Sequence, residues 1–98
     1  MLQSLAIRPN VPEVMNNLGA VHNKLGEKAA AMSLFEKAVI LRPNYAMARY
    51  NLAEAYEQTN PKRALAEYET FLALVEGIPE EEGRIARVKE RLKVLKKP

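Results

Sequence analysis

The chain has no cysteine, no tryptophan and no aspartate, and only one histidine, His22. Without cysteine there is no disulfide staple, no thiolate nucleophile and no cysteine-held metal. With one histidine and glutamate as the sole acid, the usual parts of a hydrolase or metal centre are missing. Ser4 and Ser33 have no histidine–acid pair within sequence reach, and no glycine-rich phosphate loop occurs. The longest apolar run, Phe71–Val75, is far too short to span a bilayer. The start, Met1-Leu2-Gln3-Ser4, lacks the basic stretch and apolar core of a signal peptide, so a cytoplasmic location is expected. These absences point away from an enzyme and from any cofactor.

What is present fits a small globular chain: 98 residues, 48% of them hydrophobic and 28% charged. The net charge of +3 is unevenly placed. Residues 84–98 carry seven basic side chains against Glu90 alone, and residues 1–83 carry eight against eleven glutamates. The body is therefore acidic and one terminal segment basic, which undercuts nucleic-acid binding by the protein as a whole.

The sequence also repeats. Arg8-Pro9-Asn10 recurs as Arg42-Pro43-Asn44 at an offset of 34, and the same offset pairs Asn17 with Asn51, Leu18 with Leu52, Gly19 with Ala53 and His22 with Tyr56. Beyond a one-residue loss near Asn60-Pro61 the offset is 33, pairing Ala31 with Ala64, Phe35 with Tyr68 and Leu41 with Leu74. Apolar residues fall at helical spacing in every segment. The stripes are Val14, Leu18, Val21, His22 and Leu25; then Ala31, Leu34, Phe35, Ala38 and Leu41; then Ala48, Leu52, Ala55 and Tyr56. Ala64, Leu65, Tyr68, Phe71, Leu72 and Val75 form the next, and Ile85, Val88, Leu92 and Leu95 the last. The core is expected along them, His22 included.

Punctuation divides the stripes. Asn10-Val11-Pro12-Glu13 reads as a capped helix start, Gly26 as a left-handed stop, and Asn60-Pro61 and Gly77-Ile78-Pro79 as breaks. Six helical segments are predicted, at about 2–8, 12–25, 28–41, 45–58, 61–75 and 79–96.

This pattern resembles a tetratricopeptide repeat, whose signature is W-x2-L-G-x2-Y, A-x3-F and P over 34 residues. The first repeat carries Leu18-Gly19, Ala31, Phe35, Ala38 and Pro43, with Met15 for Trp and His22 for Tyr; the second carries Leu52-Ala53, Tyr56, Ala64 and Tyr68, with Arg49 for Trp. Phe71 stands where a small alanine is usual, and Glu76-Gly77 where proline is usual. The resemblance implies an all-α fold, a right-handed solenoid of antiparallel helix pairs. The organisation expected is a partial helix of a preceding repeat at 1–9, repeats at 10–43 and 44–77, and a capping helix at 78–98. Two repeats are fewer than the three usually needed for a continuous core. The chain then reads as a piece of a longer array, or as a protein that self-associates through its open first face.

The implied function is non-enzymatic: a groove that holds an extended peptide or protein segment. Residues off the core stripe and facing that groove are Glu13, Asn16, Asn17, Ala20, Asn23 and Lys24, then Met47, Tyr50, Asn51, Glu54, Glu57 and Gln58, then Glu80, Arg84, Arg87 and Arg91. Asn16, Asn17, Asn51, Tyr50, Glu54, Arg84 and Arg87 are the candidate peptide-binding residues. Asn17 and Asn51 share a place in the repeat, and a carboxamide can pair with a peptide backbone whatever its sequence. In some tetratricopeptide arrays asparagines here form such a ladder; the alternative is that each bonds a neighbouring helix. Tyr50 is expected to be an exposed groove anchor. Arg84, Arg87 and Arg91 read either as receptors for an acidic segment or, the preferred reading, as a solvated cap face. The carboxylate clamp of chaperone-binding relatives is absent, because Asn16 and Ala20 occupy its places. Binding of nucleic acid or an anionic surface by residues 84–97 is disfavoured, since the cations lack interleaved aromatics.

Overall fold

The computed structural model of the protein describes residues 11–97, so the helix expected at 2–8 lies outside the described residues. Five α-helices follow one another: α1 Pro12–Lys24, α2 Lys28–Leu41, α3 Ala46–Tyr56, α4 Pro61–Val75 and α5 Glu82–Lys96, the last preceded by a 3₁₀ turn at Pro79–Glu81. No strand occurs among the described residues. Each helix packs on the next in chain order, with the hairpins α1–α2 and α3–α4 the most extensive contacts. An ion pair between Glu13 at the start of α1 and Arg42 just past the end of α2 ties the two ends of an antiparallel hairpin.

Local chemistry explains the boundaries. Proline opens both α1 and α4, where a missing N–H costs nothing. The Asn60 side chain accepts the Arg63 N–H at 3.3 Å and so caps α4. Gly26 and Gly77 take φ of 83° and 79°, a left-handed turn that a side chain would strain. α1 starts differently from expectation: its cap residue is Val11, with no side-chain cap.

The buried side chains form two layers. Met15, Ala31, Phe35, Ala38, Val39, Ala48, Leu52, Tyr56 and Ala64 join the first hairpin to the second. Tyr50, Ala53, Tyr68, Phe71, Val75, Val88 and Leu92 join the second hairpin to α5. Close approach is built in at Gly19, where a Cβ would stand 2.5 Å from the Phe35 ring. Phe71, large for its place in the repeat, fills the second layer, its ring 5.2 Å from that of Tyr50.

Three expectations about the core need correcting: Leu41 at the end of α2, expected on the core stripe, is 47% exposed, and the other two fall in α1. Its buried residues are Met15, Asn16 and Gly19, whereas Leu18, Val21 and Leu25 are 40%, 52% and 68% exposed. Among the described residues no helix lies on the outer flank of α1, so the stripe predicted as core is open there. His22 is likewise half-exposed, its Nδ1 held by Glu27 across the Gly26 turn. Its repeat-mate Tyr56 is buried, because α2 and Arg63 enclose it.

Arg49, at the position of the family tryptophan, secures the second hairpin with polar contacts. Its guanidinium donates to the Pro43 carbonyl at 2.9 Å and to Glu67 at 2.8 Å. Glu67 is buried and also faces Arg63 at 3.6 Å; the Arg63 guanidinium covers the Tyr56 ring at 5.0 Å, and the Tyr56 hydroxyl donates to Glu36. The continuous chain of partners leaves no buried side-chain polar atom unpaired among the described residues, which is what a charge in a low-dielectric setting requires.

Candidate functional site

A cavity of about 780 Å³ opens where the α1–α2 turn, the end of α3 and the second half of α5 converge. Ala29, Met32, Ala55, Val94 and Leu95 give it an apolar floor. Charged and polar groups ring it: Lys28, Glu54 and Glu57, Arg87 and Arg91, with the amides Asn23 and Gln58. Six residues assigned to the groove face line it: Asn23, Glu54, Glu57, Gln58, Arg87 and Arg91.

The charges here differ in how firmly they are held. Arg91 grips Glu57 through both Nε and Nη2, and the Tyr68 hydroxyl donates to the same carboxylate. Burial pushes the Glu57 carboxyl up, but the hydrogen bonds from Arg91 and Tyr68 outweigh it and hold the group below the ordinary carboxylate value. The same contact raises Arg91. Burial, reinforced by Glu57, also pushes the Tyr68 phenol up. By contrast Arg87 meets Glu54 through one contact at 3.3 Å between an exposed arginine and a partly exposed glutamate. Surface pairs of that kind are worth about 0–1 kcal/mol.

The candidate residues do not gather in one place. Only Glu54 and Arg87 line the cavity. Asn16 and Asn51 pair with each other, Asn51 Nδ2 donating to Asn16 Oδ1 at 2.9 Å, which ties α3 to α1; Asn16 itself is buried and Asn17 is exposed. The observed partner of Asn51 is thus Asn16, not its repeat-mate Asn17. Arg84 pairs with Glu81 one turn before it. Tyr50 corrects the expectation of an exposed anchor: it is buried, edge-on to Tyr68 at 6.2 Å and against Phe71. α5 crosses the face that a helix-by-helix reading left open, and burial raises the phenol of Tyr50 above its ordinary value.

Sequence reasoning missed the cavity floor. Ala55 and Leu95 were assigned to core stripes, and their position at helix ends, where a stripe runs out of partners, is the one signal that marks them. Met32 lies beside the α2 stripe and carries no such mark. The basic segment is largely neutralised within the fold: beyond the pairs already named, Lys93 meets Glu90 and Lys96 meets Glu69. Among the described residues no group of three His, Cys, Asp or Glu side chains could hold a metal, and no helix is long and apolar enough to cross a membrane.

A stack of antiparallel helix hairpins with a ringed cavity defines the class, an all-α helical-repeat solenoid. Residues 13–42 match the family model of the tetratricopeptide repeat. The chain carries this match over 30 of its 98 residues. It is 32% identical over 65 residues to ycf37 of Pyropia yezoensis, itself uncharacterised, covering 65% of this chain and 36% of that one. It thus spans about a third of the length of the curated relative it matches. The fold is also that of the Yersinia enterocolitica type III secretion chaperone SycD, solved with a peptide of the translocator YopD. The TM-score is 0.81 at 19% identity, over 87% of this chain and 66% of that one.

Proposed function

We propose that the protein is a non-enzymatic binding module that holds an extended peptide or protein segment in the cavity between α2, α3 and α5. The observation that carries this reading is the cavity itself, an apolar floor ringed by convergent polar groups on the face expected to form the groove. The peptide complex of SycD supports it, as a tetratricopeptide-like fold that takes a short segment of a partner. The module would act by positioning its partner, with no covalent step. A peptide-display selection followed by chemical-shift mapping of the selected peptides tests it. Shifts are expected at Asn23, Ala29, Ala55 and Arg87. Shifts confined to Val14, Leu18 and Val21 would sink the proposal.

A second reading, assembly through the outer face of α1, is favoured by the exposure of Leu18, Val21 and Leu25 along one stripe. Sedimentation equilibrium of the wild type and of Leu18→Lys/Val21→Lys distinguishes it: an oligomer that the double substitution dissociates supports this face, and a monomer at all concentrations removes it.

A further inference from the structure

Around the cavity, charge is divided between pairs that are committed and cations that are exchangeable, and this division says what kind of segment fits. The reasoning rests on the peptide-binding reading above. Arg91 is committed: it holds Glu57 with two nitrogens, in a partly buried site where Tyr68 donates to the same carboxylate. Opening that contact would strand a carboxylate away from water, so Arg91 and Glu57 act as wall. Arg87 is exchangeable, because its single 3.3 Å contact with Glu54 is solvated on both sides. Lys28, exposed at the start of α2, lines the same cavity and makes no ion pair among the described residues. Counting the lining groups, three cations (Lys28, Arg87, Arg91) stand against two carboxylates (Glu54, Glu57), so the rim is cationic by one charge. The same cavity is lined by the apolar side chains of Met32, Ala55, Val94 and Leu95. Methionine adapts its shape to an incoming group, and the two alanines, Ala29 and Ala55, leave the volume in which one can sit.

We propose that the cavity selects a segment in which a large aliphatic side chain is flanked by carboxylates. The aliphatic group packs on Met32, Ala55, Val94 and Leu95, while the flanking carboxylates meet Arg87 and Lys28.

Fluorescence anisotropy at physiological salt tests this with three labelled octapeptides: alternating leucine and glutamate, alternating leucine and lysine, and alternating serine and glutamate. The leucine–glutamate peptide is expected to bind about tenfold tighter than either control. Lys28→Glu/Arg87→Glu should abolish that preference, whereas Lys37→Glu/Lys62→Glu, an equal change of net charge at exposed sites that do not line the cavity, should preserve it. Circular dichroism checks that both variants stay folded; should Lys28→Glu/Arg87→Glu unfold, Lys28→Gln/Arg87→Gln takes its place, with the same loss expected. Equal binding of the leucine–lysine peptide overturns the acidic preference, and equal binding of the serine–glutamate peptide overturns the aliphatic one. Equal loss in the two charge variants also overturns it, as diffuse attraction. If none of the octapeptides binds but display-selected peptides still shift Ala55 and Arg87, this inference fails and the peptide-binding reading stands. If the selected peptides leave those residues unmoved as well, both fail.

Discussion

The two helix hairpins are built on one template and spend it differently. Leu18 and Leu52 occupy the same place in the repeat, yet Leu52 is wholly buried and Leu18 is 40% exposed. His22 is half-exposed beside Glu27, whereas Tyr56 is buried with its hydroxyl on Glu36. Gly19 lets the Phe35 ring approach; its counterpart Ala53 is buried beside Tyr68 without such a contact being forced. The difference is one of neighbours. α3 packs against α2 and α4 and shares a buried layer with α5, while among the described residues the outer flank of α1 has nothing against it. An identical side chain at an identical register position is core in one hairpin and surface in the other.

The sharpest way to break that comparison is to truncate the matched leucines. Leu52→Ala should cost about 2–5 kcal/mol in urea unfolding, and Leu18→Ala about 1 kcal/mol, because only part of its surface is buried. Equal losses would mean that something covers α1 in solution.

Next in size are the matched small residues. Gly19→Ala should cost about 1–3 kcal/mol by driving a methyl into the Phe35 ring. Restoring space with a second change, Phe35→Leu, should recover part of that loss, and a Gly19→Ala variant as stable as wild type would show that the ring moves freely.

The two arginines that reach from α5 to the second hairpin should separate likewise. Arg91→Ala is expected to cost about 1–3 kcal/mol, since Glu57 is left partly buried, against less than about 1 kcal/mol for Arg87→Ala. Comparable thermal shifts would place both pairs at the surface.

Alkali should tell the hairpins apart by a single register position. Burial, then Glu36, pushes the Tyr56 phenol from 10.0 to about 12, and Tyr68 moves in the same direction. A phenol whose pKa is raised by folding contributes stability that is complete below its unfolded value and is lost as pH climbs through the folded one. Stability should therefore fall between pH 10 and about 12. Tyr56→Phe should flatten this limb and His22→Phe should leave it unchanged. At the acid end the sign reverses: Glu57, held low, contributes above the ordinary carboxylate value, and that contribution is lost as pH drops through its folded pKa.

The smallest expected effect concerns the asparagines. Asn51→Ala should lose about 1 kcal/mol by breaking the contact with Asn16, while Asn17→Ala should change stability little. If Asn17→Ala weakens a bound peptide while Asn51→Ala does not, the exposed asparagine alone belongs to the binding face.

Most helix positions were legible because they depend on neighbours in the chain. Pro61 after Asn60, Gly26, Gly77 before Pro79 and the apolar spacing of Ala64, Tyr68 and Phe71 are local signals, and the described helices fall within about two residues of their expected ends, apart from the 3₁₀ turn before α5. The candidate binding face was legible only as a set of directions. Glu54 and Arg87, which line the cavity, point away from the stripe; Tyr50 was misplaced because a stripe drawn on α3 alone omits the helices that enclose it.

The sequence by itself determined the repeat, the helices and the uneven charge, since each is a property of spacing or of sums along the chain. Only the tertiary structure decided which half of a repeated pattern is core, how Glu54, Glu57 and Glu69 of the acidic body pair with half of the cations of α5, and where a cavity remains. Burial and pairing belong to surfaces that meet, and residues more than thirty positions apart meet only once the hairpins have stacked.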